Sequence, residues 1–260
     1  MVNKNPNCPQ MLAEAKYLKP YKFHILLVLI YLLIFLFNGF QENIRMDLEI
    51  KRFVEKATFE REEIYNGNKI KFYKVSRETL QEKPVIYYNN GYYLGSNGDI
   101  FLSKISPFSY LPLFHEAFGY FFGGHASVVT NYDINGNKLN YSQFSIEING
   151  KEEDNRVRYT LNNWFDTKTC IGVRIKNGDD KAFTDCLKSK LGYKYNYTYV
   201  FNTKNKYYCT DLVSRTAAEV GYNLNDGFIT SVNDLFLSKD TYIIYYQYVS
   251  NNIKYVYYLG

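Results

Sequence analysis

Cys209 opens the run Thr210–Gly221, in which Leu212, Val213, Ala217 and Val220 recur at helical spacing and Gly221 supplies a stop. A thiol at a helix N-terminus faces the positive end of the macrodipole, which favours the nucleophilic thiolate. Asp211, in the first turn, suits the same dipole. A nucleophilic thiol also needs a base, and a group that orients the base. The chain holds 3 histidines. His24 lies in an apolar run and His115 in an aromatic loop beside Glu116, whereas His125 follows Gly123-Gly124 and leads into the strand-like Ala126–Thr130. A residue at the mouth of a strand is well held, so His125 is the candidate base. Asn135-Gly136-Asn137 then turns the chain, and on the returning run Glu147 sits between Ile146 and Ile148. Alternation puts both isoleucines on one face and Glu147 on the other, where a carboxylate can accept from the imidazole and fix its tautomer. The ordinary alternatives are buried packing for a free cysteine and a solvent-facing edge for Glu147.

The other cysteines and the charge exclude several classes. Cys8, Cys170 and Cys186 form no C-x-x-C pair, so no Cys/His zinc site is expected, and a disulfide framework does not suit a chain of 260 residues. No metal or cofactor is expected, and Cys170 and Cys186 read as small buried residues. Lys plus Arg, 31, against Asp plus Glu, 26, leave +5 without a basic block, which argues against nucleic acid as a partner. At 46% hydrophobic and 22% charged the chain is globular, and 28 Tyr with 19 Phe favour strands.

The N-terminal region decides where such chemistry would take place. Phe23–Phe37 (FHILLVLIYLLIFLF) is apolar except at His24, and residues 21–40 are long enough to cross a bilayer. Lys4, Lys16, Lys19 and Lys22 against Glu14 make the preceding segment positive, while residues 41–60 carry four bases against five acids. The positive-inside rule then leaves the N-terminus in the cytoplasm and sends the rest across as a single-pass protein. Asn38-Gly39-Phe40-Gln41-Glu42 lacks a small-x-small cleavage pattern, so an uncleaved signal-anchor is favoured over a cleaved signal peptide or a buried core helix. This divides the chain into a cytoplasmic tail (1–20), a transmembrane anchor (21–40), a juxtamembrane helix and stalk (41–83) and a catalytic domain (84–260).

Asp47–Ile64 is charged with apolar residues at roughly helical spacing, and Asn66-Gly67-Asn68 ends it. Strands are expected at 69–75, 84–88, 99–103, 126–130, 144–148, 157–159, 170–175 and 241–248, and a helix at 179–191 stopping at Gly192. The fold class is α+β with an antiparallel sheet.

Five motifs in order, Gly98-Asp99-Ile100, Gly124-His125, Ile146-Glu147, Leu191-Gly192-Tyr193-Lys194-Tyr195-Asn196 and Tyr208-Cys209-Thr210-Asp211-Leu212-Val213, resemble those of the permuted NlpC-type papain-fold hydrolases, the YiiX/YaeF-like group. The resemblance covers Gly98 to about Tyr246, with Thr210 where serine is commoner and a longer, more aromatic stretch over 106–124. It implies a circularly permuted papain-like sheet with packed helices, Cys209 as nucleophile, His125 as base and then acid, and Glu147 as the orienting residue. A cysteine amidase or peptidase forming a thioester acyl-enzyme follows, with cell-wall peptide (peptidoglycan) or a related acyl-amide as substrate. Lipid acyl transfer, as in lecithin–retinol-type acyltransferases of the same fold, and an anchored binding module without turnover are the alternatives. Asp99 is expected to hold the turn at its strand start.

Overall fold

Short apolar strands build one large sheet, and the two faces of that sheet take different partners. The computed structural model describes residues 20–77, 83–104, 124–150, 154–199, 203–225, 227 and 229–260. Helix α1 (Pro20–Glu55) leads into β1 (Ala57–Tyr65) and β2 (Asn68–Val75). A small ribbon, β3 (Ile86–Tyr88) with β4 (Tyr92–Leu94), precedes β5 (Ile100–Ser103). Next come β6 (His125–Thr130), β7 (Phe144–Glu147), β8 (Arg158–Leu161) and β9 (Cys170–Ile175). After α2 (Asp180–Lys188) come the two-residue strands β10 (Lys194–Tyr195) and β11 (Lys206–Tyr207), then α3 (Cys209–Glu219) and α4 (Val232–Leu237). The chain closes with β12 (Thr241–Ser250) and β13 (Ile253–Leu259). Nine strands form the main sheet in the order β1-β2-β13-β12-β9-β5-β6-β7-β8. Every neighbouring pair is antiparallel except β2 with β13. The protein is therefore mixed α+β with a large, mostly antiparallel sheet and few helices.

In β5 and β6, Ile100, Leu102, Ala126 and Val128 face one way and meet Leu212, Val213 and Ala217 of α3. Phe101 and Val129 face the other way and meet Trp164, Phe165 and Tyr245. Both sides of these central strands are buried, which is why their sequences are continuous apolar runs.

Three segments depart from the sequence reading. The helix expected to run to Ile64 stops at Glu55, and Ala57–Tyr65 is a strand paired antiparallel with β2, with a register shift between Phe59 and Arg61, across a turn at Asn66 and Gly67, both at positive φ. Glu60, Glu62 and Glu63 look helical in isolation, but on this edge strand Glu62 meets Lys69 of β2 at 2.7 Å, while Glu60 and Glu63 pair with Arg61, which lies 4.0 Å over the Phe72 ring of β2. Residues 57–75, within the span read as juxtamembrane helix and stalk (41–83), thus belong to the sheet. Strand β13 and helix α4, with its Ser231–Asp234 capping box, were not expected from the sequence.

Among the described residues one helix, Phe23–Glu55 within α1, is long and apolar enough to cross a membrane; an 18-residue stretch has mean hydropathy 2.4 and is 6% buried. Beyond that stretch the same helix packs on the sheet, with Met46 and Phe53 buried and Asn43 accepting from Lys104 Nζ at 3.0 Å.

Candidate functional site

Local chemistry fixes Cys209 from both sides. The parallel pairing Lys194↔Lys206 and Tyr195↔Tyr207 brings the chain in as an extended strand, and Tyr208, at φ −101 and ψ 170, turns it into α3. The Tyr208 hydroxyl accepts from the Thr230 amide at 2.8 Å, and Thr210 Oγ1 donates to the Thr230 carbonyl at 2.6 Å. The residues flanking Cys209 are therefore clamped to one residue of another segment. Cys209 is the first residue of the helix, where backbone N–H groups have no intrahelical acceptor. Its Sγ lies 3.9 Å from the carbonyl oxygen of Gly124, the residue before His125.

His125 begins β6, its backbone paired with Ser103 of β5. Register between β6 and β7 (Val128↔Ile146, Val129↔Ser145) puts Glu147 on the face that His125 shares with Ser127. Nε2 of His125 lies 2.8 Å from Glu147 Oε2, which leaves Nδ1 for the thiol. Trp164 supports the ring: it stacks on the imidazole with centroids 6.0 Å apart and planes at 15°, and its Nε1 donates to Ser127 Oγ at 2.7 Å. The side chains of His125 and Glu147 keep 27% and 14% of their surface exposed.

Electrostatics couple the three groups. Burial alone would push the His125 imidazolium down, but hydrogen bonds and charge from Cys209 and Glu147 outweigh it and hold the ring up at about 10. Burial would likewise raise Glu147, yet the His125 hydrogen bond and charge, with Arg158 paired on β8, bring it below the usual carboxylate range. A charged imidazole held by Glu147 at Nε2 and in contact with Cys209 accounts for both directions. Such a group can attack an acyl carbon, and helix N-terminal amides beside it can receive the oxyanion.

The remaining candidates are placed elsewhere. His24 lies on the exposed part of α1, and His115 lies outside the described residues. Cys170 is buried, with its thiol pushed up to about 12 by that burial. Cys186, expected to be buried, is only half-buried; burial and a hydrogen bond to Glu219 at 3.2 Å raise it to about 11. Among the described residues no group of three or more His, Cys, Asp or Glu is placed to hold a metal ion. Asp99 holds its turn by accepting from the Ser96 amide at 2.7 Å, and also from Arg174 Nε at 2.6 Å and Nη2 at 2.8 Å. Sequence reasoning missed Trp164, Thr230 and Arg174. The lone tryptophan of the chain was the one visible signal among them.

No family model matches the sequence, and no curated protein is similar to it. Among solved structures, the chain is similar to the crystal structure of a protein described as metalloprotein yiiX from Escherichia coli O157:H7. That likeness has a TM-score of 0.45 at 13% identity, over 59% of this chain and 98% of the other.

Proposed function

We propose that this protein is a membrane-anchored cysteine hydrolase that cleaves an acyl amide through a thioester. The observation that carries the reading is the position of Cys209 at the start of α3, beside an imidazole whose far nitrogen is held by Glu147 at 2.8 Å. Cys209 Sγ attacks the carbonyl carbon, forming C–S while the π pair moves to oxygen, and the Cys209 backbone N–H faces the developing charge. As the intermediate collapses, C–N breaks and His125 Nδ1–H gives its proton to the leaving amine. Neutral His125 then takes a proton from water, the hydroxide attacks the thioester carbon, and C–S breaks to restore the thiolate–imidazolium pair and release the acid. Glu147 holds the ring throughout and balances its charge.

Helix α1 is the proposed anchor, with the N-terminus in the cytoplasm and the sheet on the other side. Peptide amides of the cell wall are one substrate class. The unbroken run of α1 from its apolar stretch into its packed end favours a second, acyl groups borne on lipids at the bilayer surface.

Labelling by an electrophilic acyl amide tests the mechanism. Cys209→Ala is expected to lose both turnover and labelling, whereas Cys170→Ala and Cys186→Ala keep them; turnover retained in Cys209→Ala refutes it. Muropeptides and acyl lipids, offered side by side, separate the substrate classes by which one releases product.

A further inference from the structure

Gln247 lies on β12, paired with Cys170 of β9, and it is fully buried. An amide inside a core destabilises the fold unless its donors and acceptor are bonded. The Tyr245 hydroxyl donates to Gln247 Oε1 at 2.6 Å. Gln247 Nε2 serves the Thr167 carbonyl at 2.5 Å, Thr167 Oγ1 at 3.1 Å, and the carbonyls of Trp164 and Phe165 at 3.2 and 3.3 Å. A carbonyl only accepts, so the amide has a single orientation that satisfies both its ends.

All of the acceptors belong to one short turn, the helix Trp164–Asp166 and its cap Thr167. Thr167 closes that turn, its Oγ1 donating to the Trp164 carbonyl at 2.8 Å. Lys254 of β13 adds a second grip: its Nζ contacts the Phe165 carbonyl and lies 4.5 Å over the Phe165 ring. In the sheet order, β9 and β5 separate β12 from β6, so the grip comes from strands remote from His125. Trp164 carries it across. Its indole donates to Ser127 at one edge and stacks on the imidazole with planes at 15°. An indole fixed at its backbone and at its Nε1 confines the imidazole to the plane in which Nε2 meets Glu147, and its face favours the charged ring.

We infer that Gln247 is a positioning residue for the cysteine–histidine pair: it locks the turn Trp164–Thr167 and, through Trp164, sets the plane of the His125 ring. The inference rests on the catalytic reading of Cys209 and His125. Charge on the ring is governed by Glu147 of β7 and Cys209 of α3, whereas Gln247 is neutral and acts by geometry.

Full-length protein in detergent, treated with iodoacetamide at neutral pH and followed at the Cys209 peptide by mass spectrometry, gives one readout. The emission of Trp164, the one tryptophan of the chain, gives the other. A stacked imidazolium quenches an indole, so His125→Ala is expected to brighten the emission and to slow labelling of Cys209. Gln247→Met keeps the side-chain volume but deletes the donors; it is expected to brighten the emission likewise and to slow labelling about tenfold. Thr167→Val, which removes one acceptor and the donor that closes the turn, is expected to give both changes at smaller size, and it carries the test if Gln247→Met does not fold. In a His125→Ala background Gln247→Met should slow labelling no further, a result that separates positioning from a general loss of stability. Unchanged emission, labelling at the wild-type rate, or the same slowing with and without His125 overturns the inference. Labelling of His125→Ala at the wild-type rate refutes the catalytic pair and the inference with it; a wild-type rate in Gln247→Met alone refutes only the inference.

Discussion

At one end of the β5–β6 pair Asp99 grips Arg174, and at the other end Glu147 grips His125. Both are acid–base contacts at the margin of the same two strands, yet their surroundings differ in a way that separates structure from chemistry. Asp99 accepts two bonds from Arg174 and a third from the Ser96 amide, and the side chains of the ion pair are 7% and 1% exposed. Nothing is left for a substrate to engage. The Glu147–His125 contact is single, 27% of the imidazole surface stays open, and the ring also interacts with Cys209. A saturated, closed pair contributes rigidity; a pair with an unused valence beside a nucleophile can move a proton.

Removing His125 sharpens the contrast most. His125→Ala is expected to lower turnover by roughly 10³–10⁴-fold, the contribution of a positioned acid–base group, with little change in thermal stability. A loss under tenfold would put the site on the structural side of the comparison. Asp99→Ala should do the reverse, costing about 3–5 kcal/mol because Arg174 is left buried and unpaired. Chemical denaturation measures that cost, and labelling of Cys209 at low denaturant should persist.

Glu147→Gln is expected to cost about 10²-fold, at the lower end for such groups, and to move the alkaline limb of the pH–rate profile. The sign follows from the raised His125. Its ion pair contributes stability and activity in full below its ordinary value of 6.5, and both fade as pH rises through about 10. Without the Glu147 charge the limb should fall to lower pH; an unmoved limb would show that Glu147 does not act on the ring. The smallest effect is expected from Trp164→Phe, which deletes the donor to buried Ser127 and should cost about 1 kcal/mol in urea unfolding.

The elements bearing these groups were legible because each had a local signal. Gly124-His125 before an apolar run, Ile146-Glu147-Ile148 after an Asn-Gly-Asn turn, and Cys209 before a helical stripe each sit at the start or on the face that the spacing indicates. What escaped notice was non-local. Trp164 reaches His125 from 39 positions away, and Arg174 reads as one charge in an apolar strand until its register sets it against Asp99. The acid-rich run over 57–65 satisfies a helical pattern, but pairing with β2 gives its charges partners that a helix would not.

The sequence by itself determined the local character of this protein: an apolar helix at one end, a two-fold rhythm of short strands, and a thiol set at a helix start. Those features depend on neighbours within a few positions, which the chain order fixes. Tertiary structure alone decided which acid meets which base, because strand register and the clamp of Tyr208 and Thr210 on Thr230 act between residues far apart in the chain. It also decided that Asp99 is saturated while His125 keeps a nitrogen to spare, a difference of burial and coordination that no single stretch of sequence contains.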